Sequence, residues 1–393
     1  MDQRMEFVLK AVSAPNFREL CREYGISAKT GYKWRERFVE HGMAGLAEKS
    51  RKPLGHADEL GEKEVCEIVR LKRAHPHWGP RKIQVLYERK HGPEGPSESS
   101  FKRVLERAGL TVARRVRRSE EAGRLASGFK AEKANDVWTV DFKGWWKDQE
   151  GLRVEPLTVR DEFSRMLLEM RALADGKTES VRASFEQLFQ TYGLPGAIRS
   201  DNGPPFASTH GLLGLTRLSV WWLALGINLE RSRPGCPQDN GAHERMHLDI
   251  RRELEAGRIG RDQEAFEVWR KEYNTERPHE ALAMQVPAQV YEPSKRLYEG
   301  TPDDIDYGSM TSRRVNKGTG QVRYAGQLYS ISTVVGGWSV GLSPRPDGKV
   351  EVWFSKLLLG LLDPPTSSFT AARPRGEKKG EADHSSSTAG GAS

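Results

Sequence analysis

Apolar residues in the first 110 positions recur three and four apart, the spacing of amphipathic helices, and Gly and Pro break the runs. Residues 17–24 form one short helix and Gly25-Ile26 bends the chain. Ser27 then caps a second helix that runs toward Val39 with Gly31, Trp34 and Phe38 along one face. Past Pro53 and Gly55, helices are expected at 60–74, 79–91 and 97–108, and the last of them buries Phe101, Val104 and Leu105.

From Asn135 the period falls to two. Residues 137–142 and 154–159 alternate as strands, 166–170 is a third, and 177–192 is a helix with Val181, Phe185, Leu188 and Phe189 on one face. A strand at 197–200, an apolar helical piece at 218–225, a strand at 227–230 and helices at 240–256 and 263–272 complete an α/β order. Short strands follow at 322–324, 328–331, 338–342 and 350–354, with Pro346-Asp-Gly348 as a turn. The pattern therefore predicts a multidomain chain. Its all-α units span 1–52 and 57–112, and a basic linker spans 113–134. An α/β core with a mixed five-stranded sheet spans 135–292 and a small all-β barrel 308–363. The tail at 364–393 is too polar and small-residue-rich to order itself.

Composition narrows the function classes. The 393 residues are 30% charged and 37% hydrophobic, and the longest apolar stretches, 220–226 and 357–362, fall far short of the ~20 residues of a bilayer-crossing helix. No membrane partner is expected. The start lacks the apolar stretch of a secretory signal, and Cys21, Cys66 and Cys236 lie too far apart for a disulfide framework, so a cytoplasmic setting is expected.

Charge changes the picture more. Residues 1–130 hold 28 Lys and Arg against 18 Asp and Glu, whereas the rest hold 34 against 36. A basic front on a near-neutral remainder fits a polyanion-binding module, although solvated helix faces are the plain alternative. The 17–39 spacing is that of a helix-turn-helix, whose second helix offers Lys29, Thr30, Lys33 and Arg37 to a major groove. The 97–108 helix offers Ser100, Lys102 and Arg103 in the same way, and Arg114, Arg115, Arg117 and Arg118 form an arm suited to phosphates or a minor groove.

Three carboxylates stand out by position. Asp141 lies in the first core strand opposite Trp138, Val140 and Phe142, Asp201 follows the fourth strand, and Glu244 shares a helix face with Asn240, His247 and Arg251. Two carboxylates at strand ends and one on a helix suit a pair of Mg²⁺ ions about 3.5 to 4 Å apart, with Mn²⁺ as a substitute, for phosphodiester chemistry. Each residue alone reads equally well as a turn or surface group.

Residues 135–291 resemble the catalytic core of the retroviral-integrase-type DDE transposases of bacterial insertion sequences. The likeness rests on Trp138-Thr-Val-Asp-Phe-Lys-Gly144, Leu157-Thr-Val-Arg-Asp-Glu-Phe-Ser-Arg165 and Tyr192-Gly-Leu-Pro-Gly-Ala-Ile-Arg-Ser-Asp-Asn-Gly203. It extends through Arg233-Pro-Gly-Cys-Pro-Gln-Asp-Asn-Gly241, His243-Glu-Arg-Met-His247 and Tyr273-Asn-Thr-Glu-Arg-Pro-His-Glu-Ala-Leu282. The resemblance implies a ribonuclease-H-like core with Asp141, Asp201 and Glu244 as catalytic metal ligands. Asn240, Gly241 and Arg245 then stand near the active site, with Asn240 and Arg245 expected to contact DNA. It further implies binding to double-stranded DNA at element ends and target, a homo-oligomer on DNA, and a bacterial, nucleoid-associated location. The Asp201-to-Glu244 interval exceeds the superfamily's usual spacing. An insertion at the apolar 212–222 region accounts for that, with Glu230 and Glu253 as substitutes for Glu244.

The expected activity is DNA transposition, with a catalytically silent DNA-binding regulator and a simple nuclease as alternatives. His243-Glu244-Arg-Met-His247 also reads as H-E-x-x-H, a zinc-peptidase helix motif, though no third ligand is evident. Under the transposase reading His243 and His247 are DNA contacts or helix-surface residues. Arg277 is expected to pair with a nearby carboxylate. Trp145, Trp146, Trp221 and Trp222 suit a core more than nucleotide stacking.

Overall fold

The computed structural model describes residues 3–48, 60–111, 130–173, 175–232 and 241–372, in two units divided at residue 64. In the first unit α1 (Gln3–Ala11), α2 (Phe17–Glu23) and α3 (Ala28–His41) pack around Phe7, Val8, Leu20, Cys21 and Leu46. Asn16 caps α2, and the Ser27 hydroxyl accepts from the Thr30 N–H at 3.1 Å to start α3. Gly31 is required where it stands: a Cβ there would lie 2.6 Å from Cys21 Sγ. The pattern did not disclose α1, because Leu9 and Val12 are exposed beside the buried Phe7 and Val8 and blur its period.

In the second unit, α4 (Glu62–Ala74), α5 (Pro80–His91) and α6 (Glu98–Arg107) follow the expected spans. Pro80 suits the first turn of α5, where its missing N–H has no partner to lose. Ile68, Ile83, Phe101 and Leu105 are buried, and the Lys72 ammonium closes the 75–79 turn by donating to the carbonyls of Pro76 and Trp78, each at 2.7 Å.

The central sheet has the order β5-β4-β1-β6-β7. Strands β1 (Val137–Phe142), β4 (Pro156–Asp161) and β5 (Leu167–Ala172) run antiparallel, while β6 (Ala197–Ser200) and β7 (Asn228–Arg231) continue parallel to β1. The expected 154–159 strand is divided: β2 (Trp146–Lys147) pairs with β3 (Arg153–Val154) in a separate ribbon, and the main strand begins at Pro156.

One face of the sheet, with Trp138, Val140, Leu157 and Ile198, packs on α7 (Thr178–Tyr192) and α8 (Arg217–Ala224). On the other side Leu167 and Met170 join Met246 and Ile250 of α9 (Gly241–Ile250) and Phe266, Trp269 and Tyr273 of α10 (Gln263–Thr275). After α9 the chain widens into a π-type turn at Arg251–Glu255, and α11 (Pro287–Val290) closes the core. No helix among the described residues is long and apolar enough to cross a membrane.

The C-terminal part corrects two expectations. Strands β8 (Thr311–Arg314), β11 (Ser339–Pro344), β12 (Val350–Phe354), β13 (Leu357–Asp363) and β14 (Ser368–Ala371) form one antiparallel sheet in the order β14-β13-β12-β11-β8. Among the described residues strands β9 (Gln321–Tyr324) and β10 (Gln327–Ser330) pair only with each other, so the ladders show two sheets where a closed barrel was expected. Residues 364–372 of the tail expected to be disordered instead contribute β14, because Phe369 and Thr370 pair with Leu362 and Leu361, while 373–393 lie outside the described residues. Gly360 permits that approach: a Cβ there would lie 2.2 Å from the Thr370 carbonyl oxygen.

Candidate functional site

The parallel pairing of β1 with β6 brings Asp141, near the end of β1, toward Asp201, the residue after β6. Asp141 is half-buried and faces away from Trp138 and Val140. Its pKa is pushed up to about 7, first by burial and next by the negative charge of Asp201. A main-chain hydrogen bond from Phe142 opposes the shift, and the charge of Glu244 adds to it. Asp201 is exposed, and one of its carboxylate oxygens accepts from the Gly203 N–H at 3.2 Å in the Asp-Asn-Gly turn.

Glu244 is exposed in the first turn of α9. Asp201 and Glu244 are thus both within electrostatic reach of Asp141. Among the described residues, however, no three His, Cys, Asp or Glu side chains are gathered closely enough to hold a metal ion. The donor set still fits a hard cation: it is all oxygen, and Asp141 carries a burden of like charge that a dication would relieve.

The two substitutes for Glu244 are occupied elsewhere. Glu230 pairs with Arg199 at 2.7 Å. Glu253 accepts from the Trp269 indole at 2.7 Å and from Arg277 at 2.5 Å. Arg277 is itself buried and also pairs with Asp249 at 2.7 Å, the carboxylate partner expected of it. Beside it Asn274 holds both main-chain groups of Leu167, at 2.9 and 2.8 Å, so the Tyr273-to-His279 motif fastens α10 to β5 and α9.

The two histidines of the H-E-x-x-H reading have another use, and both earlier assignments for them are corrected. His243 is fully buried, with Nδ1 2.8 Å from the Thr139 hydroxyl and Nε2 2.7 Å from the Thr158 hydroxyl. His247 Nε2 lies 2.9 Å from the same Thr158 oxygen. Burial holds both imidazoles neutral, His243 well below its usual range and His247 at about 3. They anchor α9 to the sheet, and no third ligand for zinc gathers beside them among the described residues. The sequence offered a partial signal for this: Thr139 alternates with Asp141 in β1 and Thr158 with Arg160 in β4, so each threonine shares the polar side of its strand.

In the helical units Lys29 and Lys33 are exposed on α3 and Arg37 is half-buried. Thr30 is tied to the cap, its hydroxyl 2.9 Å from that of Ser27. On α6, Lys102 and Arg103 are exposed, and Arg103 donates to the Ser100 hydroxyl at 3.2 Å. Arg245 is exposed on α9. Asn240, Arg114, Arg115, Arg117 and Arg118 lie outside the described residues. Trp146, Trp221 and Trp222 are core residues, whereas Trp145 is exposed beneath the Arg153 guanidinium.

Family descriptions match most of this frame. Residues 3–53 match a helix-turn-helix domain and 30–105 a homeodomain-like domain, while 131–237 and 225–287 match integrase core domains. A 31.7 kDa protein of insertion element IS407 from Burkholderia multivorans is 26% identical over 238 residues, covering 59% of this chain and 82% of that protein. A 39.2 kDa protein of insertion element IS476 from Xanthomonas euvesicatoria is 27% identical over 230 residues, covering 57% of this chain and 63% of that protein. The HTLV-2 integrase catalytic core domain, solved in complex with magnesium, is 17% identical over 42% of this chain and 100% of its own, with a TM-score of 0.33. The chain carries helix-turn-helix domains and an integrase core domain, and it is a distant homologue of insertion-element proteins.

Proposed function

We propose that the chain is a DNA transposase. In this reading the helical units find the terminal repeats of an insertion sequence, and a ribonuclease-H-like core cuts and joins the strands. The observation that carries it is the pair Asp141 and Asp201. They close adjacent parallel strands of an integrase core, near enough that Asp201 adds to the rise in the Asp141 pKa.

Asp141, Asp201 and Glu244 would hold Mg²⁺, or Mn²⁺ in its place. When bound, the metal supplies charge stabilisation for the attacking and leaving oxygens. The protein's own residues hold and orient. Asp141 offers ionised oxygens above pH 7, and His243, locked between Thr139 and Thr158, fixes α9 and with it the position of Glu244. Lys29, Thr30, Lys33, Arg37, Ser100, Lys102, Arg103 and Arg245, with Asn240 and the 114–118 arginines, would carry the DNA contacts.

In the first step a water oxygen bonds to phosphorus and the bond to the 3′ oxygen breaks, leaving a 3′-OH. In the second that hydroxyl attacks a target phosphorus and displaces the target's own 3′ oxygen in line, with no covalent protein intermediate. Joining two ends to one target calls for a homo-oligomer on DNA. The nucleoid of a bacterial cytoplasm is the corresponding location.

The test incubates purified protein with its flanking element ends and a plasmid target in Mg²⁺, beside Asp141→Asn, Asp201→Asn and Glu244→Gln. Joined products that disappear in all three variants support the reading. Specific end binding without cleavage by the wild type would replace it with a DNA-binding regulator, and cutting without joining with a nuclease.

A further inference from the structure

A cavity of about 310 Å³ opens among α5, the end of β4, α9 and the segment after α10. Its walls carry four basic side chains, Lys82, Arg160, Arg165 and Arg245, against two acidic ones, Asp249 and Glu280. Asp249 is already paired with Arg277 at 2.7 Å. Arg160 and Arg165 share the single carboxylate of Glu162, and Lys82 and Arg245 make no ion pair among the described residues. The cavity is therefore short of negative charge.

One buried donor on its walls points to a missing ligand. Arg160 is 1% exposed, yet its Nε–H has no hydrogen-bond partner among the described residues. A buried donor left unpaired costs about 1–3 kcal/mol, so its persistence marks a place where something else completes it. Lys82 agrees with this: burial, then the charge of Arg277, brings its pKa down to about 8, and the opposing charges of Asp249 and Glu280 do not restore it. This charge balance disfavours a metal cation. Guanidinium and ammonium groups converging from separate elements suit an anion with several oxygens in a tetrahedron.

We propose that this cavity is a phosphate-binding site in which Lys82, Arg160, Arg165 and Arg245 receive one backbone phosphate of a DNA strand. The choice of a DNA strand as the source rests on the transposase reading; the phosphate chemistry does not. Because Arg245 follows Glu244 on α9 and Lys82 stands on α5, a phosphate held here joins the second helical unit to the helix that carries the third carboxylate.

The experiment uses the full chain. The affinity for a labelled duplex is measured by fluorescence anisotropy across a salt series for wild type, Lys82→Gln, Arg165→Gln and Lys82→Arg, with inorganic phosphate titrated separately by calorimetry. Taking one of the four cations off this phosphate lowers the magnitude of the slope of log K against log salt by up to about 0.9 and weakens all sequences alike. That result is expected for both glutamine variants, with recovery in Lys82→Arg and folding checked by thermal melts. A wild-type slope in both folded glutamine variants, with no heat from inorganic phosphate in the wild type, overturns the proposal. Phosphate heat that is lost in Lys82→Gln while the DNA slope stays unchanged overturns the DNA source in favour of a free phosphate. A wild type that binds no DNA defeats the transposase reading instead, and the phosphate titration still decides the cavity.

Discussion

The His243 imidazole lies with Nε2 2.7 Å from the Thr158 hydroxyl, and that hydroxyl donates at 3.0 Å to the main-chain carbonyl of Asp141. One threonine thus links the strand that carries Asp141 to the helix that carries Glu244. Removing the ring leaves two buried hydroxyls, Thr139 and Thr158, short of a partner and opens a cavity. His243→Ala should therefore cost on the order of 3 kcal/mol. Denaturant unfolding measures this cost. A positioning role adds a second expectation: strand cleavage by folded His243→Ala is lost and is partly restored in His243→Gln, which can still meet a threonine. Zinc content at background in wild type and variant alike separates this from the peptidase reading.

Much of this was legible in the residues, and what was not has physical reasons. The strand 137–142 and the helices at 80–91 and 98–107 stood out because one face of each is apolar and Pro, Gly or Ser marks the ends. Strand β8 did not, since all four of its residues are exposed and none of Thr311-Ser-Arg-Arg314 signals a core. Strand β14 hides in a small-residue tail because its order comes from pairing with β13. At the site, Asp141 and Asp201 could be placed from strand ends. The buried role of His243 could not, because a histidine beside a glutamate on a helix looks the same in sequence whether it meets zinc, DNA or a threonine. The cavity at Lys82 joins residues nearly 200 positions apart, and no local pattern reports such a meeting.

The raised pKa of Asp141 sets a stability test with a definite sign. Its carboxyl titrates at about 7 in the folded chain and near 3.9 when unfolded, so between those values the folded state holds the extra proton. Stability from this group is full below pH 4 and falls as pH rises through 7. Without divalent metal at pH 8, Asp141→Asn should therefore melt higher than wild type by roughly 3 °C or more, with the difference gone at pH 4. Magnesium should then stabilise only the wild type. Equal melting points at pH 8 would show that Asp141 is not under this repulsion.

The buried imidazoles act in the opposite direction. Burial brings His247 to about 3, and burial followed by the charges of Lys82 and Arg277 brings His279 to about 3. Their unfolded value is about 6.5, so the unfolded chain binds more protons below that pH. The stability they contribute is complete above pH 6.5 and declines toward pH 3, at up to about 1.4 kcal/mol per pH unit for each ring. Denaturant midpoints measured from pH 7 to 4.5 should fall less steeply in His279→Asn than in wild type. Parallel curves would mean that His279 is charged or free to reach solvent in the folded state.

Helix α8 serves two cores at once. Leu218, Trp221 and Trp222 join the cluster under the central sheet, while Val220 and Leu223, with Leu215 just before the helix, join the cluster of the C-terminal sheet. The apolar 212–222 stretch is thus more than a spacer between Asp201 and Glu244, since it is the seam along which two sheets share a helix. A charge placed on one side should release only that side. Leu223→Asp puts an unpaired carboxylate into the C-terminal cluster, a burial that costs several kcal/mol. Limited proteolysis of this variant should therefore cut first between residues 293 and 310, leaving a resistant fragment that contains the central sheet. Leu218→Asp, on the opposite side, should expose the central sheet itself to digestion. Protection of the 293–310 segment in Leu223→Asp equal to wild type would show that the C-terminal sheet is held by contacts other than α8.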